Sequence, residues 1–180
     1  MHKLLILDVD GVMTNGTKTY NCEHTVLAKQ FFCKDFTAIK RFIAAGVKVV
    51  MVSGDEWNRS MAQKRNIDFY CSRGDDLSLD KTALLPMLAE KYQTPIDEMM
   101  FVGDDYFDLS MFQELDATFC PQDAPAIIKK EAYYILKRNG GEGVVAELYD
   151  RLLQWGWVKD ASPEAVALLD KQETASQEMR

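Results

Sequence analysis

The sequence predicts an α/β fold, a parallel sheet with helices on both faces. Three observations predict it. Apolar runs of strand length recur (Leu4-Leu5-Ile6-Leu7, Val47-Lys48-Val49-Val50-Met51-Val52, Met99-Met100-Phe101-Val102). Amphipathic helical stretches separate them. Each run ends in a turn carrying Asp, Ser or Gly, and ligands of open α/β sheets bind at the carboxyl ends of strands.

The elements follow in order. Leu4 to Leu7 is a buried strand, and Gly11 lets the chain turn sharply after it. Residues 17–32 carry Thr, Tyr and Val around Asn21-Cys22-Glu23-His24 and predict a β-hairpin. From Asp35 to Ala45, Phe36, Ile39, Phe42 and Ile43 recur at helical spacing, with Gly46 as the stop. The strand over 47–52 follows, then a helix over 56–66 and a short strand over 69–71. A helix over 78–92 buries Leu79, Leu84, Leu85 and Leu88, with Pro86 kinking it or shifting its start. After the strand over 99–102 come a helix near 106–115, a strand near 117–119, a helix near 124–130, a strand over 133–136 and a helix over 143–155. The alternation gives a small hairpin insertion, no internal repeat and no cap domain. One domain is expected over residues 1–157 and a C-terminal helix or tail over 158–180. Ser162 and Pro163 make a good helix start there. The last ten or so residues are polar and expected to be loose.

Composition narrows the function classes. The chain has 180 residues, 47% hydrophobic, enough for one globular domain with a real core. Its formal net charge of -7 argues against a broad nucleic-acid surface. No apolar stretch reaches membrane length, so no membrane partner is expected. Met1-His2-Lys3 leads straight into the first strand, and the four cysteines have no CxxC spacing, which predicts a reducing cytoplasm. Only two histidines are present, so a zinc site or a Ser-His-Asp triad is poorly supported.

Chemistry concentrates at the strand ends. Asp8 and Asp10 follow the first strand. A carboxylate there can attack a phosphoryl group, and a second can protonate the leaving oxygen. An Asp-Gly turn at a strand end is also an ordinary solvated turn. Ser53-Gly54 follows the second core strand, where a hydroxyl and backbone N–H groups can cradle phosphate; by itself it is a common turn. Asp104, Asp105 and Asp108 follow the third. Three carboxylates in five residues repel unless a cation neutralises them, and hard oxygen ligands point to Mg²⁺. The plainer alternative is an acidic helix start. Lys81 lies where it could neutralise phosphate and pair with Asp108.

This ordered set over residues 4–110 resembles the haloacid dehalogenase superfamily of phosphotransferases. The resemblance implies Asp8 as nucleophile and Mg²⁺ ligand, and Asp10 as general acid and base with its backbone carbonyl on the metal. It implies Ser53, Gly54 and Lys81 at the phosphoryl group, Asp104 completing the metal site, and Asp105 and Asp108 in support. Neither interval between the motifs has room for a cap, and the subfamily most similar is the capless phosphatases of 3-deoxy-2-keto sugar acids, extending to Gly140-Gly141-Glu142-Gly143. That implies a phosphorylated sugar acid of the 3-deoxy-D-manno-octulosonate 8-phosphate class as substrate. It also implies a homotetramer assembled through the hairpins. The apolar Val26, Leu27, Phe31 and Phe32 exceed what one face of a small hairpin needs, which makes them the expected contact; packing on the subunit's own core is the plainer alternative. Enzymes of that class typically show Thr-Gly-Arg and Gly-Gly-Arg-Gly where this chain has Asp55 and Glu142 in place of the arginines, making these two acids substrate-contact candidates. Their usual Asp-Gly-x-Gly is Asp35-Phe36-Thr37-Ala38 here. The acidic pattern is similar to phosphatases of nine-carbon keto acid 9-phosphates, of KDN or N-acylneuraminate type. The non-catalytic oligomerising domains of acylneuraminate cytidylyltransferases are the remaining alternative.

Overall fold

Four consecutive apolar residues can all be buried only in the middle of a sheet covered on both faces. The computed structural model describes residues 2–73 and 80–178, with side chains through residue 175, and it places β1 (Leu4–Leu7) there. β1 pairs in parallel with β4 (Lys48–Ser53) on one side and β6 (Met99–Val102) on the other. β5 (Asp68–Cys71), β7 (Ala117–Cys120) and β8 (Tyr134–Ile135) complete a six-stranded parallel sheet of order β5-β4-β1-β6-β7-β8. The expected hairpin forms apart from it, as β2 (Thr19–Tyr20) against β3 (Val26–Ala28).

Alternation along β1 splits the core. Leu5 and Leu7 face the layer of α1 (Cys33–Ala44) and α6 (Val144–Gln154), against Ile39, Phe42, Leu148 and Tyr149. Leu4 and Ile6 face α3 (Leu85–Tyr92), α4 (Leu109–Glu114) and α5 (Ala126–Glu131), against Leu88, Phe112 and Ile128. The chain winds outward from β1 to β5 and then crosses back to β6. The switch point therefore lies between the carboxyl ends of β1 and β6.

Three expected helices begin differently from the prediction, and for one reason. The helix over 56–66 opens as a 3₁₀ turn, Glu56–Asn58, before α2 (Arg59–Lys64). The turns Lys81–Leu84 and Tyr106–Asp108 do the same before α3 and α4. Each is capped by an aspartate that accepts a backbone N–H: Asp55 from Trp57, Asp80 from Thr82 and Asp105 from Tyr106. The tightened turns bury one polar residue each, Asn58, Lys81 and Asp108. Pro86 falls in the first turn of α3, where it shifts the start without kinking the helix. Residues 78 and 79 of that predicted helix lie outside the described residues.

The tail has its expected helix start at Ser162 and Pro163 and departs from expectation only in staying helical through residue 178. α7 (Pro163–Glu178) is continuous, starting on the Ser162 Oγ cap to the Ala165 N–H at 3.2 Å. Asp170 and Glu173, one turn apart, reach Lys40 of α1, and Glu173 also meets Arg65 at 2.8 Å. These pairs hold it on its own subunit. Among the described residues no helix is long and apolar enough to cross a membrane.

Candidate active site

The site grows out of β1. The Asp8 N–H continues the ladder to Val102 O at 2.9 Å, and its carboxylate, 6% exposed, stands at the switch point. The chain then turns, with Met13 and Thr14 N–H both donating to Val9 O. Gly11 sits at φ +94°, and a Cβ there would lie 2.0 Å from Asp104 Oδ2. Glycine is thus required twice, for the backbone and for the room that Asp104 occupies.

Lys81 joins the motifs. Its Nζ donates to Asp8 Oδ1 at 2.6 Å and to Asp108 Oδ1 at 2.5 Å, and all three side chains are buried. Burial alone would lower the lysine's pKa, but the two carboxylates hold it above its ordinary value. Burial pushes Asp8 up against the pull of Lys81. Asp108 Oδ2 accepts the backbone N–H groups of Asp104 and Asp105 at 2.9 and 3.1 Å, so both its oxygens are engaged. Asp104 is the opposite case. Its buried Oδ1 has no hydrogen-bond partner among the described residues, and burial with Asp8, Asp108 and Asp105 nearby pushes its carboxyl well up.

One oxygen each from Asp8, Asp104 and Asp108 lie within 4.8 Å of one another. Three carboxylates against one lysine leave an excess of negative charge in a desolvated place. An orphaned, inward-facing oxygen in an all-oxygen donor set fits a hard divalent cation.

Ser53, at the end of β4, is 2% exposed; its Oγ accepts from Asp55 N–H at 3.1 Å and Asn58 Nδ2 at 3.0 Å. Ser53, Gly54, Asp55, Lys81, Asp104, Asp105 and Asp108 line one cavity of about 140 Å³ with Asp8 and Asp10. The predicted set therefore converges, with one exception. Glu142 is exposed and lines a separate groove of about 430 Å³ with Phe32, Lys34 and Arg151. The glycines before it explain the displacement. A Cβ on Gly140 would lie 2.0 Å from Gly11 O, and one on Gly141 2.6 Å from Asn15 N. The loop is pressed against the turn that follows Asp10, and Glu142 does not line the cavity.

Asp55 lines the cavity but is already paired. Partial burial raises its pKa, yet Lys18 at 2.6 Å and Lys29 at 2.9 Å hold it well below the usual carboxylate range. These two hairpin lysines were not legible as site residues, because the hairpin read as an apolar contact element. Arg73, after β5, also lines the cavity and makes no hydrogen bond or ion pair with any described residue; its guanidinium lies 5.1 Å from the Phe107 ring. Of the expected hairpin contact residues, Leu27 and Phe32 are exposed, whereas Phe31 packs on the subunit's own core beside Phe36. Asp35 proves structural: it is fully buried and its Oδ1 accepts the Ala146 N–H at 2.9 Å, capping α6 from another helix.

A profile of haloacid dehalogenase-like hydrolases matches residues 76–148. The 3-deoxy-D-manno-octulosonate 8-phosphate phosphatase KdsC of Haemophilus influenzae is 28% identical over 152 residues, 84% of this chain and 83% of that protein. The chain belongs to the haloacid dehalogenase superfamily. Within it, the chain is a phosphatase similar to KdsC across most of its length. The cobalt-bound structure of the Haemophilus influenzae enzyme superposes with a TM-score of 0.77, covering 85% of this chain and 88% of that one. The Moraxella catarrhalis enzyme, solved with magnesium, phosphate and KDO, shares the fold at 24% identity and a TM-score of 0.75, over 85% of this chain and 86% of that one. As in the expected capless arrangement, the described residues between β1 and β4 hold only the hairpin and α1.

Proposed function

We propose that this phosphatase hydrolyses a phosphorylated 3-deoxy-2-keto sugar acid of the 3-deoxy-D-manno-octulosonate 8-phosphate class through an aspartyl-phosphate on Asp8. The observation that carries the reading is Lys81 held between Asp8 and Asp108 beside the unpartnered Asp104 oxygen. Asp8 attacks phosphorus, and Asp10 delivers a proton to the departing sugar oxygen. Asp10 then takes a proton from the water that cleaves the acyl phosphate. The Ser53 hydroxyl and Gly54 N–H hold the phosphoryl oxygens, and Lys81 offsets their charge. Asp8, Asp104 and the Asp10 carbonyl would hold Mg²⁺, with Asp105 and Asp108 bracing the loop. When bound, the ion neutralises the carboxylates and the charge spread of phosphoryl transfer. The cobalt-bound relative supports a divalent ion here.

For the substrate's carboxylate, Lys18 and Arg73 offer positive charge at the cavity where Asp55 stands. The acid at Asp55 favours nine-carbon keto acid 9-phosphates as the second reading. Among the described residues the site has no cap, and Leu27 at 58% and Tyr20 at 50% exposure leave an apolar hairpin face. A homotetramer in which neighbours close each site accounts for both. Four unpaired cysteines accord with a cytoplasmic setting.

A panel of phosphorylated sugars and sugar acids, assayed for phosphate release with Mg²⁺ and with EDTA, tests the reading. Turnover should be greatest on the keto acids and absent with EDTA. Asp104→Ala should weaken Mg²⁺ binding far more than Lys81→Ala. Equal turnover of neutral and acidic sugar phosphates would remove the substrate assignment. Equal Mg²⁺ affinity in wild type and Asp104→Ala would misplace the metal. A monomer fully active at nanomolar concentration would rule out closure by a neighbour.

A further inference from the structure

Lys29 leaves the hairpin just after β3, between exposed Ala28 and exposed Gln30, yet its own side chain is completely buried. Its Nζ lies 2.7 Å from both Asp10 oxygens, 2.9 Å from Asp55 Oδ2 and 2.9 Å from Asn58 Oδ1. The Trp57 ring, 5.3 Å away, covers it. An ammonium has three donors, and these acceptors use all of them. Removing an ammonium from water costs several kcal/mol unless it is fully paired. Lys29 is fully paired, and every partner belongs to the site or its edge.

We infer that Lys29 is a positioning residue for leaving-group protonation, a role that rests on the reading of Asp10 as the acid. Asp10 sits on a turn with a partly exposed side chain. Its other contacts are Asn58 Nδ2 at 3.0 Å on Oδ2 and the Thr14 hydroxyl at 3.4 Å on Oδ1. A two-oxygen contact to one Nζ sets the plane of the carboxyl group more tightly than the single-oxygen contacts of Asn58 at 3.0 Å and Thr14 at 3.4 Å do by themselves. Asn58 also donates to Ser53 Oγ, so one chain of contacts links the hairpin to the acid and to the phosphate-binding hydroxyl. Proton delivery needs only one oxygen. Oδ2 keeps Lys29 and Asn58, and Oδ1, on giving up its own Lys29 contact, carries the proton that passes to the sugar oxygen as its bond to phosphorus breaks. Misplacing a reacting group by about 1 Å can cost roughly a hundredfold in rate. The hairpin is thereby part of the catalytic apparatus of its own subunit, in addition to any contact with a neighbour.

The test exploits the leaving group. p-Nitrophenolate departs without a proton, whereas a sugar alkoxide needs one. The quantity to measure is kcat/KM, which reports the steps through loss of the leaving group. Lys29→Gln should lower it at least about tenfold more for 3-deoxy-D-manno-octulosonate 8-phosphate, or the best sugar phosphate of the panel, than for p-nitrophenyl phosphate. In an Asp10→Asn background Lys29→Gln should add nothing further on the sugar phosphate. Lys29→Arg, which keeps the buried charge, carries the same comparison should the Gln variant not fold. Equal losses on both substrates, or losses that add to those of Asp10→Asn, would overturn the inference while leaving the phosphatase reading intact. A wild-type protein with no phosphatase activity would remove that reading and the inference together.

Discussion

The carboxyl end of the sheet and the seam between α1 and α7 are built on the same motif, a lysine between two carboxylates, and they differ in water. Lys81 lies between Asp8 and Asp108, with side chains 5%, 9% and 2% exposed. Lys40 lies between Asp170 and Glu173, with side chains 15%, 66% and 10% exposed. In the seam, Lys40 hydrogen bonds lower the Asp170 pKa in the ordinary manner of a surface pair. At the sheet, burial raises Asp8 despite its lysine, and Asp104 is ion-paired with no cation among the described residues. A pair with one exposed partner, such as Lys40 with Asp170, fastens an element weakly. Buried, unbalanced ones are poised to receive charge from outside.

The largest expected effect breaks the sheet-end group chemically. Asp8→Asn should cut turnover by about 10⁴-fold or more, since an amide cannot serve as the nucleophile. The fold should persist, because Lys81 keeps Asp108. Retained activity in the purified, folded variant would take Asp8 out of that role.

Next comes Lys81→Met. It leaves Asp8 and Asp108 buried without a cation, and stability in EDTA should fall by about 3–5 kcal/mol. Added Mg²⁺ should restore part of the loss. Urea unfolding with and without the metal measures both. If stability does not depend on metal in this variant, the carboxylates are not held together as a charged group.

Asp35 supplies an intermediate case, a buried carboxylate with a backbone donor but no lysine. Burial pushes it up to about 6 from 3.8, against the Ala146 N–H. The folded state therefore holds its proton more tightly than the unfolded one. Its stabilising contribution is present below about pH 4 and is lost as pH rises to about 6. Asp35→Asn keeps an acceptor for the Ala146 N–H. It should flatten stability over pH 4–6 and gain on the order of 2 kcal/mol at pH 7. An unchanged slope in chemical denaturation across that window would show that Asp35 does not titrate there.

The smallest effect belongs to the seam. Lys40→Ala should move Tm by about 2 °C or less and leave kcat alone. A loss as large as that of Lys81→Met would erase the distinction drawn between the two regions.

What the sequence determined by itself was the part written in local pattern. Apolar runs of four to six residues specify buried parallel strands. The turns after them must then share one edge of the sheet, which brings Asp8, Ser53 and Asp104 together without any coordinates. The hairpin, the α1 face of Phe36, Ile39 and Phe42, and the Ser162-Pro163 helix start were legible on the same grounds. Tertiary structure decided what depends on contacts between segments distant in the chain. Lys18 and Lys29 entered the site only because the hairpin folds over Asp10 and Asp55, and a lysine in an exposed-looking strand carries no local sign of that. Asp35 became a cap because α6, more than a hundred residues later, presents its N–H groups there. Glu142 left the cavity because Gly140 and Gly141 press against Gly11 and Asn15. The tail became an ordered helix because Asp170 and Glu173 found Lys40 and Arg65. Periodicity records which face of an element is dry. It does not record which polar group on a distant segment will meet it, because that depends on how the elements pack.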